Sequence, residues 1–201
     1  MVMGEYDSEP VLGLPEALPE GETILWQGAP DWKSLAQRAL HVRLVALYFV
    51  GLFAWDVARP VNDGVPFAEA FVSALSLLIP AVVVLGLIAL YAWVLARSTV
   101  YTLTNRRIAL RFGVALPRTM NLPFAVIQSA SLKVYANGTG DIPVVLTEKV
   151  RLAFLHLWPH VRPWRVKRSE PMLRCIPDAE RVAGLLADAL RQTSSETNSA
   201  G

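Results

Sequence analysis

Residues 91–113 read YAWVLARSTVYTLTNRRIALRFG, and within them the chain changes its physical character. Upstream, from Ala70 to Ala96, no residue is charged. At about 1.5 Å per helical residue that stretch could extend roughly 40 Å, against a hydrocarbon core of about 30 Å. It predicts one transmembrane helix over 69–96, with Pro80 as a kink, Tyr91 and Trp93 as interfacial aromatics and Arg97 at the exit. Downstream, STVYTLT (98–104) is β-branched and aromatic, and NRR reads as a turn with Asn105 in a left-handed conformation. Ile108, Leu110 and Phe112 then alternate with Ala109 and Arg111, the period of a strand. A membrane helix therefore feeds directly into a β domain.

A second apolar stretch, HVRLVALYFVGLFAWDVA (41–58), precedes the first. Its uncharged centre runs only from Leu44 to Trp55, but Arg43 can snorkel to one interface while Trp55 and Asp56 sit at the other. The two stretches predict a hairpin around the turn-forming RPVNDGVPF (59–67). Lys33, Arg38 and Arg43 precede it, Arg59 alone lies in the loop, and Arg97, Arg106, Arg107, Arg111 and Arg118 follow. The positive-inside rule then puts both termini in the cytoplasm. Residues 1–23, with six acids and three prolines, read as a mostly disordered tail. They lack the basic and early apolar regions of a signal peptide. Within 24–97, TILW has strand character and GAPDW that of a turn leading into the hairpin.

Past Gly113, RTMNLP (118–123), AVIQSASLKVYA (125–136), IPVVLT (142–147) and VRLAFLHLW (150–158) extend the strand-like run, with NGTGD (137–141) as a hairpin turn. In 125–136, Ala130, Leu132, Val134 and Ala136 share one face. About six short strands at this spacing predict an antiparallel sandwich or open barrel. PDAERVAGLLADALRQ (177–192) then lines up Val182, Leu185, Leu186 and Leu190, an amphipathic helix that would close one end, with Pro177 in its first turn. The fold class is thus an α+β membrane protein: a two-helix hairpin, a cytoplasmic β domain over 98–192 with its C-terminal helix, and a disordered tail at 193–201.

Composition agrees with this division. Mean hydropathy is +0.37, with 53% apolar and 18% charged residues, where soluble domains carry about a quarter charged. From Arg97 onward fifteen Lys or Arg stand against seven acids, a surplus suited to a solvated face, lipid headgroups or an acidic partner. Nucleic acid is excluded, since the basic half follows a membrane segment and lacks a compact basic motif. The single Cys175 excludes a disulfide framework and reads as a buried structural residue.

Catalytic signals are missing: no Gly-x-Ser-x-Gly, His-Glu-x-x-His or phosphate-cradling glycine loop is found. His156 and His160 in LHLWPHVRPW (155–164) could share a helical face, but Pro159 breaks that geometry and the neighbouring charges are Arg162 and Arg165. No metal site and no cofactor are expected there. His156 reads as a strand or core residue and His160 as an exposed loop residue. Arg106 and Arg107 in the turn could meet headgroups or the acidic N-terminal tail. Together with Trp158, His160, Arg162, Trp164 and Arg165 they are the candidate contacts to a partner or a membrane.

Two spans followed by VYTLTNRRI and a Gly-rich hairpin resemble the bacterial pleckstrin-homology-like (PH-like) domain. Read with GETILWQGAPDWKSLAQRALHVR, NGTGDI, LAFLHLWPHVRPW and PMLRCIPDAERVAGLLADAL, the chain from about residue 21 to 190 resembles the PuhB family of photosynthetic complex assembly proteins. That resemblance implies a non-enzymatic, multi-pass protein of the inner (intracytoplasmic) membrane of a phototrophic bacterium. It would assist assembly of light-harvesting complex 1 with the reaction centre, with their subunits as partners, and would form a homodimer. Members have often been described with three spans, whereas the residues here give two. His41, at a membrane edge, is a candidate pigment contact through bacteriochlorophyll magnesium. The alternative function is a membrane-anchored PH-like module that binds anionic lipid or another membrane protein.

Overall fold

The computed structural model describes residue 14 and residues 17–114, 116–147, 158–163 and 169–199, with backbone alone at 194 and 196–199. It divides into two compact units, Trp32–Val94 and the combination of Met1–Asp31 with Leu95–Gly201.

The helical unit contains α1 (Trp32–Arg38), α2 (Val42–Asn62), α3 (Phe67–Ala74), a 3-10 turn (Leu75–Leu77) and most of α4 (Leu78–Arg97). His41 precedes α2 with φ 53° and donates no side-chain cap. α2 runs past the expected end at residue 58 and carries Pro60 in its last turn, where proline withdraws only its own amide and the Asp63 amide still bonds to the Arg59 and Pro60 carbonyls. Pro80 lies in the first turn of α4, just past the 3-10 turn. It has no amide to offer the Ser76 carbonyl, which instead accepts a backbone N–H at the end of that 3-10 turn. Ser76 Oγ donates to the Ser73 carbonyl at 3.0 Å. Helical residues nevertheless run continuously from Phe67 to Arg97, long enough for one crossing. The two long segments are thus two candidate membrane spans, folded against each other through the edge-to-face pair Phe53–Phe71.

The β unit starts before the hairpin. β1 (Ile24–Gly28) pairs antiparallel with β2 (Val100–Thr104), which pairs with β3 (Arg107–Phe112), which pairs with β4 (Arg118–Pro123). The β domain expected from residue 98 therefore also takes a strand from the N-terminal segment. A second sheet is centred on β7 (Gly140–Leu146), which pairs with β5 (Ile127–Ala130), β6 (Lys133–Val134) and β8 (Met172–Ile176). α5 (Ala179–Ser199) packs Val182, Leu186 and Ala189 into one core with Tyr101, Leu103, Ile108, Leu110, Ile142 and Val144. Two sheets closed by a C-terminal helix match the expected architecture.

Four local readings are corrected. Asn105 is not among the residues with positive φ; Thr104 Oγ1 instead accepts the amides of Arg106 and Arg107 and holds the turn without left-handed backbone. The segment 125–136, expected as one strand, is not continuous, and its face of Ala130, Leu132, Val134 and Ala136 is solvent-exposed. Pro143 has no amide to donate across to this strand, the Ser131 amide bonds to its carbonyl, and the strand breaks into β5 and β6. α5 starts at Ala179, after Asp178 at φ 50°, and continues past 192 to Ser199, so part of the expected disordered tail is helical. The N-terminal residues from Pro19 to Thr23 hydrogen-bond in the β unit, and Glu22 is buried, so this end of the acidic tail is ordered. The segment 150–157, expected as a strand, lies outside the described residues.

Candidate functional site

Buried polar groups concentrate where β2, β8 and the segment around His160 meet. Tyr101 and His160 are fully buried, and Thr99 nearly so. Tyr101 OH lies 2.6 Å from His160 Nδ1, and Thr99 Oγ1 lies 3.2 Å from His160 Nε2. The ends of this chain of bonds set its direction. The Arg174 amide can only donate, and reaches Tyr101 OH at 3.3 Å. The Leu95 carbonyl can only accept, and takes Thr99 Oγ1–H at 2.8 Å. Tyr101 therefore donates to Nδ1, and Nε2–H donates to Thr99: a neutral imidazole with its tautomer fixed by its partners. Burial, assisted by the Arg174 guanidinium, lowers the His160 pKa to about 3. Burial likewise pushes the Tyr101 phenol well above its ordinary value. These groups hold the fold together and do not exchange protons near neutrality.

A second cluster surrounds Cys175, which adopts φ 50°, an uncommon conformation for a non-glycine residue. Three bonds support it: the Cys175 amide donates to Asp141 Oδ1 at 2.8 Å, its carbonyl accepts from the Asp31 amide at 2.8 Å, and Asp141 Oδ2 accepts Tyr135 OH at 2.6 Å. The strain is carried where β7 and β8 slip register between Gly140 and Ile142. A Cβ on Gly140 would lie 2.6 Å from both Ala179 Cβ and the Lys133 carbonyl oxygen, so glycine lets α5 approach β7 here. Burial raises the Cys175 thiol to about 12, which removes it as a nucleophile.

The sequence-selected residues do not form one site. His160, expected as an exposed contact, is fully buried because its ring fits between Tyr101 and Phe112, whose ring centroids lie 5.7 and 5.3 Å away. Trp158, two residues earlier, is exposed. Arg162 Nη1 is 2.9 Å from Glu170 Oε2. At the far end of the sheet Arg107 Nε bonds to Glu22 Oε1 at 2.8 Å, and Asn105 bonds to Gly21 and Thr23, while Arg106 is exposed. His41 is exposed at the start of α2. Trp164, Arg165 and His156 lie outside the described residues. Thr99, Tyr101, Asp141 and Arg174 escaped the sequence reading, since their bonds join residues 34–73 positions apart and no local pattern marks them. Among the described residues no group of three His, Cys, Asp or Glu side chains could hold a metal ion.

The fold and this interior define a class: an antiparallel β domain with structural buried polar networks, interrupted by two candidate membrane-spanning helices. The family model of the bacterial PH domain matches residues 44–190, and the chain belongs to that family. A Rhodobacter capsulatus protein described as "Uncharacterized 23.7 kDa protein in puhA 5'region" is 39% identical over 193 residues, 96% of this chain and 90% of that protein. These two matches bear out the resemblance to the PuhB family. No solved structure matches significantly.

Proposed function

We propose that this protein is a non-enzymatic assembly factor of the photosynthetic membrane, assisting the union of light-harvesting complex 1 with the reaction centre. The observation that carries the reading is the relative from the puhA 5' region of Rhodobacter capsulatus, similar over nearly the whole of both chains. The PuhB resemblance supplies the role and the partners: light-harvesting polypeptides, reaction-centre subunits and a second copy of this chain. The interior supports a non-catalytic protein, because the buried His160 and Cys175 titrate far from neutrality in the directions that disable them.

The hairpin supports a role among other membrane proteins. No residue of α2 is buried, and α2 with α3 forms an apolar groove of about 460 Å³ bordered by Phe53, Phe67 and Phe71. Such a surface fits lipid tails and neighbouring helices. The topology is also constrained by the sheet. β1 precedes the hairpin and β2 follows it, and Gly28 pairs with Tyr101. A chain that leaves and rejoins one sheet crosses the bilayer an even number of times, which favours two spans. With the basic flanks, this supports both ends lying on the cytoplasmic side of the inner membrane.

Affinity capture of the tagged full chain from phototrophically grown membranes tests the proposal. Core antenna polypeptides or reaction-centre subunits should co-purify, and deletion should lower the core complex while leaving its subunits' transcripts unchanged. Normal core complex levels in the deletion strain would refute the assembly role.

A further inference from the structure

One end of the β domain combines exposed apolar side chains with the point where the chain leaves α4. Only Ser98 and Thr99 separate Arg97 from Val100, so β2 begins within about 10 Å of chain from the helix end. Val100 pairs with Arg111, and Phe112 pairs with Arg118, so the loop between β3 and β4 emerges at this same end. Phe112 in turn packs at a tilt, with ring centroids 5.3 Å apart, against His160, two residues from Trp158. Val114 (46%), Leu116 (73%) and Trp158 (46%) are large apolar side chains exposed here. Gly113 permits the tight return: a Cβ there would lie 2.3 Å from the Leu116 carbonyl oxygen.

We propose that this end of the β domain rests on the lipid surface, with Val114, Leu116 and Trp158 entering the headgroup boundary beside the exit of α4. The occupant follows from continuity and charge. The helix ending at Arg97 is a candidate membrane span, so the first turns beyond it lie at the height of the headgroups. Arg97 and Arg118 are exposed around the apolar tips, the arrangement that anionic headgroups favour. Among the described residues, Glu170 is buried against Arg162 and Asp31 is half-buried. Leucine and tryptophan at this depth gain burial, whereas in water their exposure is a cost. The inference is independent of the assembly role, since it concerns how the domain sits on any bilayer that holds the hairpin.

The test uses the full chain, purified and reconstituted alone in nanodiscs containing anionic lipid. Nitroxide labels are placed at Val114→Cys, Leu116→Cys, Arg106→Cys at the opposite turn, and Leu87→Cys in α4. The native Cys175 is fully buried and should stay unlabelled, which also reports that each variant is folded. Labels at 114 and 116 should be severalfold more accessible to dissolved oxygen, relative to a water-soluble nickel chelate, than the label at 106. A nickel accessibility at 116 equal to that at 106 overturns the proposal. So does shielding of 116 from both reagents, which would mean that a second copy of the chain covers the loop. The label at 87 separates these outcomes from a failure of the hairpin to insert.

Discussion

The hairpin and the β unit use the same residue types in opposite places. In α2 no residue is buried, and Leu44, Leu47, Tyr48, Val50 and Trp55 all face outward. In the β unit leucines and isoleucines fill the core, and the interior also holds Thr99, Thr102, Thr104, Asp141, His160, Glu170 and Arg174. The difference lies in the solvent. In lipid an outward leucine costs nothing and each backbone polar group must bond within its helix. In water apolar surface is withdrawn, and a polar group may follow it inside only if its bonds are met there. The composition of the two candidate spans suits stabilisation by lipid, whereas the β unit is stabilised by its own interior.

Truncations should separate the two regions most sharply. Ile108→Ala removes a fully buried side chain from β3 and should destabilise the β unit by about 2–5 kcal/mol, through lost transfer energy and a cavity. Leu47→Ala, on a residue 65% exposed in α2, leaves no cavity and should shift stability little. Thermal unfolding in nanodiscs, followed by tryptophan fluorescence and by labelling of the released Cys175, reads both. Equal losses would contradict the division. A charge should act in the reverse sense. Leu87→Arg places a guanidinium on the outward face of α4 at a cost of about 3 kcal/mol if it sits at mid-membrane. Less of the chain should then resist alkaline extraction from membranes, with Cys175 protection unchanged in the fraction that inserts.

Smaller effects test the buried polar bonds. Asp141→Ala removes the acceptor for both the Cys175 amide and Tyr135 OH, and should cost about 1–3 kcal/mol and speed Cys175 labelling. Asp141→Asn, which keeps an acceptor oxygen, should recover part of that loss. The pH dependence of His160 has a definite sign. Its folded pKa is lowered to about 3, whereas an unfolded histidine takes its proton near 6.5. Between those values the unfolded chain binds the extra proton, so this stabilisation is complete above about 6.5 and declines as the pH falls, by up to about 1.4 kcal/mol per pH unit. His160→Gln should lower the melting temperature at neutral pH and flatten its decline between pH 6.5 and 4. An unchanged slope would show that His160 is not the group titrating.

Much of the architecture was legible because it depends on patterns that are local. An uncharged run from Ala70 to Ala96 can only be satisfied as a helix in lipid or in a core, and a period of two at Ile108, Leu110 and Phe112 marks a strand wherever its partner lies. The interruptions were less legible. The split between β5 and β6 depends on the proline at position 143 of the facing strand, and the place of β1 depends on a partner reached only after the hairpin. The candidate site suffered most. His160 and Trp158 are two residues apart and look alike as loop residues, yet one side chain is enclosed by Tyr101 and Phe112 and the other is exposed.

By itself the sequence determined the two apolar helices and the change to strands after Arg97, because hydrophobic period and uncharged length act through immediate neighbours, while its motifs carried the resemblance to a family. Only the tertiary structure decided that β1 and β2 tie both ends of the hairpin into one sheet, that His160 is a neutral internal strut, and that Val114, Leu116 and Trp158 gather at the end where α4 delivers the chain. Those outcomes depend on contacts between residues far apart in the chain, and what a histidine or a tryptophan does is set by the groups that folding brings to its side.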